Sequence, residues 1–352
     1  MGYCLYERVY GSLMAAALGD ILGGPSETQS REEIYRNFHG RIQSLHDGRR
    51  FERSTYGKIT DDTSQLYMMG KAVIKYRGDL DPQRAAEGIL MWAEECPEYY
   101  PRCAGPTSRY VIDALREKQD PETVGKRGLK FQFGTSNGAV MRIAPAGLIN
   151  PGNPDGAIDT AIAMTKPSHN THQAYSASCA IACAIAEALT ENATVHSVLR
   201  AAVYGAKKGE RIGRKEARIA PGGLITPALL EAIEIVYDCA GPEEAEVRLD
   251  RAVNANICTA RASVPMAVGL FAANGGAPLQ TAFSCATAGG DTDTFGCMAG
   301  MIAGAFRGIG SIPQKWQELY KRYNPSYDLE WMAKELTAIA LERKGNVQEA
   351  SR

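Results

Sequence analysis

The chain has 352 residues, which is enough for one large domain or two small ones. Hydrophobic residues make up 45% of the chain, so a sizeable core can form, and the formal net charge of −1 argues against a general nucleic-acid or membrane-surface binder. No apolar run approaches the roughly 18 residues that span a bilayer, and the start of the chain lacks the apolar segment of a signal peptide.

Cysteine usage bears on the cellular compartment. Nine cysteines are scattered along the chain, and no spacing repeats in a zinc-like way. Several of them, such as Cys179 and Cys183, lie in helical runs of small residues. We therefore expect reduced core cysteines in a cytoplasmic protein.

Helical patterns dominate the chain from one end to the other. In chain order they are VYGSLMAAALG, TSQLYMMGKAVIKY, PQRAAEGILMWAEE, TSRYVIDALREK, GAVMRIAPAGLI, QAYSASCAIACAIAEAL, TVHSVLRAAVYGAKK, LITPALLEAIEIVYDC, SVPMAVGLFAA, PLQTAFSCATA, FGCMAGMIAGAF and LEWMAKELTAIALERK. Long alternating runs of β-branched residues are missing, which predicts a compact all-α fold. No linker-like segment divides the chain, so we assign residues 1–345 to a single domain and residues 346–352 to a frayed tail.

Two segments allow more than one interpretation. Residues 99–110, YYPRCAGPTSRY, carry aromatic side chains that either stack on a ligand ring or pack in the core. Residues 205–223 carry six Lys/Arg against two Glu. That composition is typical of a solvated, flexible helix end or loop, and a contact with a substrate or partner is the sharper alternative.

A row of small residues marks the helix near the C-terminal end. Its glycines recur every four residues and therefore share one helix face, which lets a second helix approach closely. We expect the partner to be another small-residue helix, such as the one containing SLMAAALG or the one containing SCAIACAIAEAL. The residues of the row are Gly296, Gly300, Gly304 and Gly308, with Ala299 and Ala303 beside them.

Two acidic segments far apart in the chain have nearly the same composition. In GGDTDT, Asp291 and Asp293 follow two glycines and precede a helix, and in TDDT, residues 60–63, Asp61 and Asp62 stand at another helix start. The glycines supply the permissive backbone of a turn. An N-cap would explain Asp293 alone, but it leaves the second carboxylate and the two threonines unexplained.

Joining the two segments has an electrostatic consequence. Four carboxylates in one place repel one another, and two divalent cations would neutralise them. A third acidic position, Glu27, follows the first helix and is either part of this cluster or a surface glutamate. Carboxylates and threonine hydroxyls favour Mg²⁺ or Mn²⁺ over zinc. Two such metals can grip a substrate and activate a water between them.

The ordered set of motifs resembles the ADP-ribosylglycohydrolase family. The motifs are GSLMAAALGDILGGPSE, TDDTSQ, SNGAVMRIAPAGL, THQAYSAS and GGDTDT, and they extend from residue 11 to about residue 308. The resemblance implies an all-helical domain with a binuclear Mg²⁺ or Mn²⁺ centre. The metal ligands that it implies are Thr60, Asp61, Asp62, Asp291, Asp293 and Thr294.

The same resemblance implies a substrate site. Glu27 matches the loop glutamate that helps to close the site. Residues 135–142, TSNGAVMR, match the segment that wraps the diphosphate and the distal ribose, and backbone amides at a helix start also suit an anion. His172 matches the histidine near the phosphates or the adenine-side ribose, with His169 as the alternative if the register differs. The implied substrate-binding residues are Ser136, Asn137, Gly138, Ala139, Arg142 and His172.

The resulting hypothesis is a metal-dependent hydrolase of a ribosyl glycosidic bond. Asp62 or Asp293 is the candidate base, and Glu27 is the candidate acid or water-positioning group. The implied substrate is an ADP-ribosyl compound, for example an ADP-ribosylated arginine of a protein partner. We expect neither a nucleic-acid partner nor a membrane partner.

Three alternatives remain open at this point. The first keeps the fold and shrinks the substrate to a small nucleoside or nucleotide, which makes the protein an N-ribosidase. The second is a structural role without turnover, since a lens crystallin is related to the family. The third takes DTDT as the aspartyl nucleophile of a dehalogenase-type phosphatase, but that motif follows an early hydrophobic strand, which this chain lacks.

Overall fold

The computed structural model describes residues 4–45, 56–126, 133–254 and 258–350, with the backbone alone for 346–350. These residues contain sixteen α-helices, and their only β-type pairings are two isolated bridges, so the predicted all-α class is confirmed. The helices are α1 Leu5–Gly23, α2 Arg31–Asn37, α3 Asp61–Lys75, α4 Pro82–Glu95, α5 Pro106–Arg116, α6 Ala144–Leu148, α7 Pro154–Thr165, α8 His172–Ala188, α9 Val195–Glu216, α10 Ile225–Asp238, α11 Pro242–Val253, α12 Ala260–Ala273, α13 Pro278–Ala288, α14 Thr292–Arg307, α15 Gln314–Tyr323 and α16 Leu329–Ala350.

Helix α14 packs against α1 at the centre of the molecule, and both helices are almost wholly buried. A Cβ added to Gly296, Gly300 or Gly304 would collide with backbone atoms of α1, so these glycines permit backbone-to-backbone contact. The predicted close pairing with the SLMAAALG helix is therefore confirmed. Gly308 differs from the other three, because it has a φ of +77° and ends the helix.

Helix α9 packs along α8 through a second row of glycines. Cβ atoms added to Gly209 and Gly213 would lie 2.5 Å from the Tyr175 carbonyl oxygen and 2.6 Å from the His172 Cα. The basic segment 205–223 is expected to be a solvated helix end or loop, and residues 205–216 are indeed the C-terminal end of a helix. They form the second half of α9, because every fourth residue is a glycine that fits against α8.

The expectations for the cysteines and for the C-terminal tail hold only in part. Of the nine cysteines, all of which are free, five are buried, whereas Cys4 and Cys258 are exposed and two are partly exposed. The expectation of core cysteines therefore holds only for the buried five. Helix α16 continues through residues 346–350 of the proposed tail, and residues 351–352 lie outside the described part of the chain. Among the described helices, none combines the length and apolarity that a membrane crossing requires.

Candidate metal centre

The first pair of acids, Asp291 and Asp293, follows a turn made of two glycines. Helix α13 ends at Ala288, and Gly289 and Gly290 follow with φ values of +91° and +83°. A Cβ at Gly289 would lie 2.9 Å from the Arg31 amide nitrogen, so both conformation and space require glycine there. Asp291 then precedes the first residue of α14. The turn predicted from GGDTDT is confirmed.

The loop carrying Glu27 is paired with this turn through the backbone. The Thr28 amide donates to the Gly290 carbonyl at 2.7 Å, and the Gly290 amide donates to the Gln29 carbonyl at 2.9 Å. As a result, one carboxylate oxygen from each of Glu27, Asp291 and Asp293 lies within 4.8 Å of the others. Glu27 thus belongs to the acidic cluster rather than to an isolated surface loop.

Helix α3 supplies the second pair of acids. Thr60 is its N-cap, and its hydroxyl accepts a hydrogen bond from the Asp62 amide at 3.3 Å. Asp62 is buried and Asp61 is partly exposed. Among the described residues, the Asp62 Oδ1 atom is buried and has no hydrogen-bond partner.

Asp20, which the sequence analysis did not single out, positions this helix start. Its carboxylate lies on α1, fully buried, and its Oδ2 atom accepts hydrogen bonds from the Thr60 amide at 3.0 Å and the Thr63 amide at 3.1 Å. Burial raises the pKa of Asp20, and the hydrogen bonds from Thr63 and Thr60 oppose that rise. The available signal was an acid within the mostly apolar stretch from Val9 to Gly23, where a buried carboxylate needs a partner.

The two acidic segments meet in space. Burial is the largest cause of the raised pKa of Asp293, followed by the negative charges of Glu27 and Asp62. Burial likewise raises the pKa of Asp62 well above its usual value, with Asp61 contributing next. The pKa of Asp61 rises to about 8, first through burial and then through the charges of Asp20 and Glu27. Helix α3 also packs against α14, so the central expectation of the sequence analysis, that the two distant turns adjoin, agrees with the geometry.

The residues present fit hard divalent cations. The candidate ligands from both turns are oxygen donors. The buried Asp62 Oδ1 atom has no hydrogen-bond partner in the described structure, which is consistent with a role as a cation ligand. Glu27, Asp291 and Asp293 form the group whose spacing suits one shared ion. Asp61 and Asp62 stand at the start of α3, which packs against α14 beside that group.

Neighbouring side chains orient Asp291. The Thr294 hydroxyl donates to its Oδ1 atom at 3.2 Å, and the Asn137 side-chain amide donates to its Oδ2 atom and to the Ser263 hydroxyl. The Asn137 backbone amide is also engaged, with the Cys258 carbonyl at 3.1 Å. The described contacts of Asn137 therefore hold a metal-ligand candidate in place. The amides of Ser136, Gly138 and Ala139 remain as candidates for an anion.

Arg142 is buried inside a hydrogen-bond chain that starts at the acids. Gln65 donates to Asp61 at 3.3 Å and accepts from the Arg142 guanidinium at 2.5 Å. The same guanidinium donates to the Ser168 hydroxyl at 2.6 Å. Burial lowers the pKa of Arg142 to about 10, so the side chain remains a cation at neutral pH. Its contacts connect Asp61 to the next segment of the site, a role that motif matching alone did not indicate.

The two candidate histidines have different surroundings. His169 bridges the Ser168 and Ser136 hydroxyls at 2.9 Å each, and burial with the nearby Arg142 charge lowers its pKa to about 3. His172 is also buried, but its ring accepts a hydrogen bond from the Ala220 amide at 3.3 Å, beyond the end of α9. Of the two histidines, His169 is the one hydrogen-bonded to Ser136, and the assignment of either histidine to a substrate stays a prediction.

The aromatic residues of segment 99–110 pack within the protein. Tyr99 is buried, and its hydroxyl donates to the Ile59 carbonyl at 2.9 Å, directly before the Thr60 cap. Tyr110 forms an edge contact with Phe133 at 5.8 Å between ring centres. The core alternative thus describes Tyr99, whose hydrogen bond steadies the approach to α3.

The fold and the site together are an all-helical domain in which two helix starts bring acidic side chains into one cluster. The chain belongs to the ADP-ribosylglycohydrolase family, whose model matches residues 2–346. Members of this family are hydrolases that act on ribosyl glycosidic bonds.

Individual relatives agree with this assignment. The chain is 32% identical over 311 residues to the uncharacterized protein YegU of Escherichia coli. The aligned residues cover 87% of this chain and 89% of the relative. It is 25% identical over 320 residues to the ADP-ribosyl-[dinitrogen reductase] glycohydrolase of Rhodospirillum rubrum, covering 90% of each chain. A solved ADP-ribosylglycohydrolase-related protein complex shares the fold, with a TM-score of 0.69 at 23% identity over 96% of this chain and 99% of that one.

Proposed function

We propose that this protein is a metal-dependent hydrolase that removes ADP-ribose from a modified side chain such as arginine, or cleaves a related ADP-ribosyl compound. The observation that carries the proposal is the convergence of Glu27, Asp291 and Asp293 beside Asp61 and Asp62. The printed name of the Rhodospirillum rubrum relative, an ADP-ribosyl glycohydrolase, supports the substrate class. That the target is a protein, and that the location is cytoplasmic, stay predictions.

The residues of the two turns would hold two Mg²⁺ or Mn²⁺ ions, which polarise a water and bind ribose hydroxyls when present. The number and identity of the ions belong to the proposal. Thr60 and Thr294, which already hydrogen-bond to the acids, complete the proposed ligand set.

The proposed reaction uses one group that accepts a proton from the attacking water and another that positions this water or protonates the leaving group. Asp62 or Asp293 takes a proton from the attacking water, and Glu27, from its own loop, positions that water or protonates the leaving group. The glycosidic bond to the anomeric carbon breaks while the new bond to the water oxygen forms. The surrounding carboxylates stabilise the positive charge that develops on the sugar.

A second candidate function is an N-ribosidase for a small nucleoside or nucleotide. One observation favours it: Arg142, from the segment expected to hold the diphosphate, donates to Gln65 and Ser168 within the protein. A diphosphate would then depend on backbone amides near Ser136, Gly138 and Ala139.

A substrate panel separates the two functions. Purified protein with Mg²⁺ or Mn²⁺ is incubated with ADP-ribosyl-arginine, ADP-ribosyl-serine, adenosine and AMP, and the released ribosyl product is quantified by chromatography. The proposal expects hydrolysis of an ADP-ribosyl compound and its loss with chelator. Turnover of adenosine or AMP without turnover of the ADP-ribosyl compounds would establish the second function, and turnover that persists in chelator would contradict the metal requirement.

A further inference from the structure

The outer face of α9 combines exposed cations with apolar side chains. Arg200, Lys207, Arg211 and Lys215 recur at helical spacing and are exposed. Within the described part of the chain, none of the four forms an ion pair, in contrast to Lys208 with Asp155 and Arg214 with Glu210. The buried glycine row lies on the opposite face and holds α9 on α8. This charge is local, since the whole chain has a net charge of −1.

An apolar depression follows this cationic row. Two adjoining cavities of about 670 and 610 Å³ lie along α9 and α10, with Pro154 of α7 and Cys183 and Glu187 of α8 also lining the first, and they share Lys207 and Leu230 in their walls. Their apolar lining includes Leu199, Val203 and Ile233. We call the two cavities together the α9–α10 groove.

Exposed apolar side chains concentrate here. Seven large hydrophobic residues are exposed among the described residues, and three of them, Tyr204, Leu230 and Tyr237, line the groove with exposed fractions of 42%, 41% and 64%. Single exposed apolar residues are ordinary, but a cluster rimmed by charge marks an interaction surface. The charged residues of the lining number five Lys/Arg against two Glu, so the surface is complementary to an acidic partner.

We propose that the α9–α10 groove is a docking surface for an acidic amphipathic helix of a partner protein. The row from Arg200 to Lys215 extends over about 23 Å at 1.5 Å per residue, which matches a helix of about 16 residues. The apolar face of such a helix would enter the groove, and its acidic flanks would meet Lys207 and Arg211. The sequence analysis left a contact with a partner open for the basic segment, and in this proposal the contact lies on the outer face of α9.

The end of α9 that borders the groove leads into a residue that contacts the chain just before segment 135–142. Beyond α9, the Arg218 guanidinium donates to the Phe133 carbonyl, and the His172 amide donates to the Arg218 carbonyl at 3.2 Å. Phe133 lies three residues before Ser136. A helix bound in the groove would therefore end near the elements that hold this segment.

The test is direct binding of a designed probe. The probe is a fluorescein-labelled helical peptide of about 16 residues with leucines on one face and glutamates on both flanks. Its binding to the protein is measured by fluorescence anisotropy. We expect saturable binding that weakens as salt rises. Lys207→Glu combined with Arg211→Glu should raise the Kd by at least about tenfold, as should Leu230→Asp. The matched control, Lys315→Glu on α15, changes another exposed lysine and should leave the Kd unchanged.

Several outcomes would overturn the proposal. They are equal binding of a peptide with lysines in place of the glutamates, equal binding by the double variant, and binding of anionic lipid vesicles or RNA in place of the peptide. A concentration-dependent dimer that the double variant dissociates would assign the groove to a second copy and would also overturn it. Because anisotropy reads binding directly, the result does not depend on the proposed hydrolysis.

Discussion

Asp20 shows how one buried carboxylate supports a site that it does not itself form. It lies on α1, and its Oδ2 atom accepts the amides of Thr60 and Thr63 at the start of α3. Those amides lie on either side of Asp61 and Asp62. The position of the second acidic pair therefore depends on a side chain 40 residues earlier in the chain.

Replacing Asp20 separates its structural and charge contributions. Asp20→Ala leaves two buried amides without an acceptor and should destabilise the fold by about 2–5 kcal/mol. It should also weaken Mn²⁺ binding by about 10–100-fold, because the ligands lose their support. Asp20→Asn keeps one oxygen acceptor, so its effects should be smaller. Urea unfolding and calorimetric Mn²⁺ titration measure both effects, and equal behaviour of Asp20→Ala and wild type would contradict this role.

Asp293 is the direct test of the ligand assignment. Asp293→Asn keeps the shape of the side chain and removes a charge that the cation is expected to need, so activity should fall by at least about 100-fold. Helix content, measured by far-UV circular dichroism, should be unchanged. The control is Asp159→Asn on α7, an exposed acid. Retained activity in Asp293→Asn would mean that the ligand assignment is wrong.

At the level of helices, the α1–α14 pair determines where the GGDTDT turn lies. The glycines of α14 face the backbone of α1, and the Ser12 hydroxyl of α1 donates to the Met301 carbonyl at 2.7 Å. A Cβ at Gly23, at the end of α1, would collide with backbone atoms of Thr292 and Asp293. The close helix contact and the acidic site are thus parts of one rigid arrangement.

A single methyl group tests this arrangement. Gly300→Ala places a Cβ against the Ala15 carbonyl of α1, where neither backbone can yield, so the two helices must separate. We expect a destabilisation of about 1–3 kcal/mol, despite the better helix propensity of alanine.

The matched control for Gly300→Ala is Gly345→Ala in α16, which has no atom within 4 Å of the added Cβ. This variant should be neutral or slightly stabilising. Thermal and urea unfolding distinguish the two variants, and similar values for both would contradict the packing argument.

For the whole molecule, the acidic cluster makes stability depend on pH and cations together. Without cations, the pKa of Asp61 is about 8 in the folded chain, above its ordinary value of 3.8. The folded state therefore favours the protonated carboxyl more strongly than the unfolded chain does. This contribution to stability is fully present below about pH 4 and is lost as the pH rises through 8.

Cation removal at several pH values measures this coupling. In chelator, the Tm should fall between pH 5 and pH 8.5 by about 5 °C or more, because each kcal/mol shifts the Tm by about 2–4 °C in domains of about 150–250 residues and by somewhat less in a larger domain. Adding Mg²⁺ or Mn²⁺ should restore the Tm, and the gain should grow with pH because the cation competes with protons. Asp293→Asn should show a smaller gain. A Tm that is the same with and without chelator at pH 8 would contradict the metal centre.

Much of the fold and the core of the site could be predicted from the sequence. Helix periodicity, the glycine row of α14 and the two acidic helix starts are local patterns, and oxygen ligands define the class of metal whatever the fold. The family motifs also placed Glu27 with the acids. Each of these predictions depends on residues that are close along the chain or on the chemistry of one residue type.

Only the tertiary structure decided which side chains that are distant in the sequence contact and orient one another around the site. It showed that Asp20 holds the start of α3, that Asn137 orients Asp291, and that Arg142 connects Asp61 to Ser168. It also showed that residues 205–216 of the basic segment belong to α9, with glycines against α8 and cations on the outer face. The physical reason is that a side chain's partners depend on how helices pack across the whole chain, and local periodicity carries no information about those distant contacts.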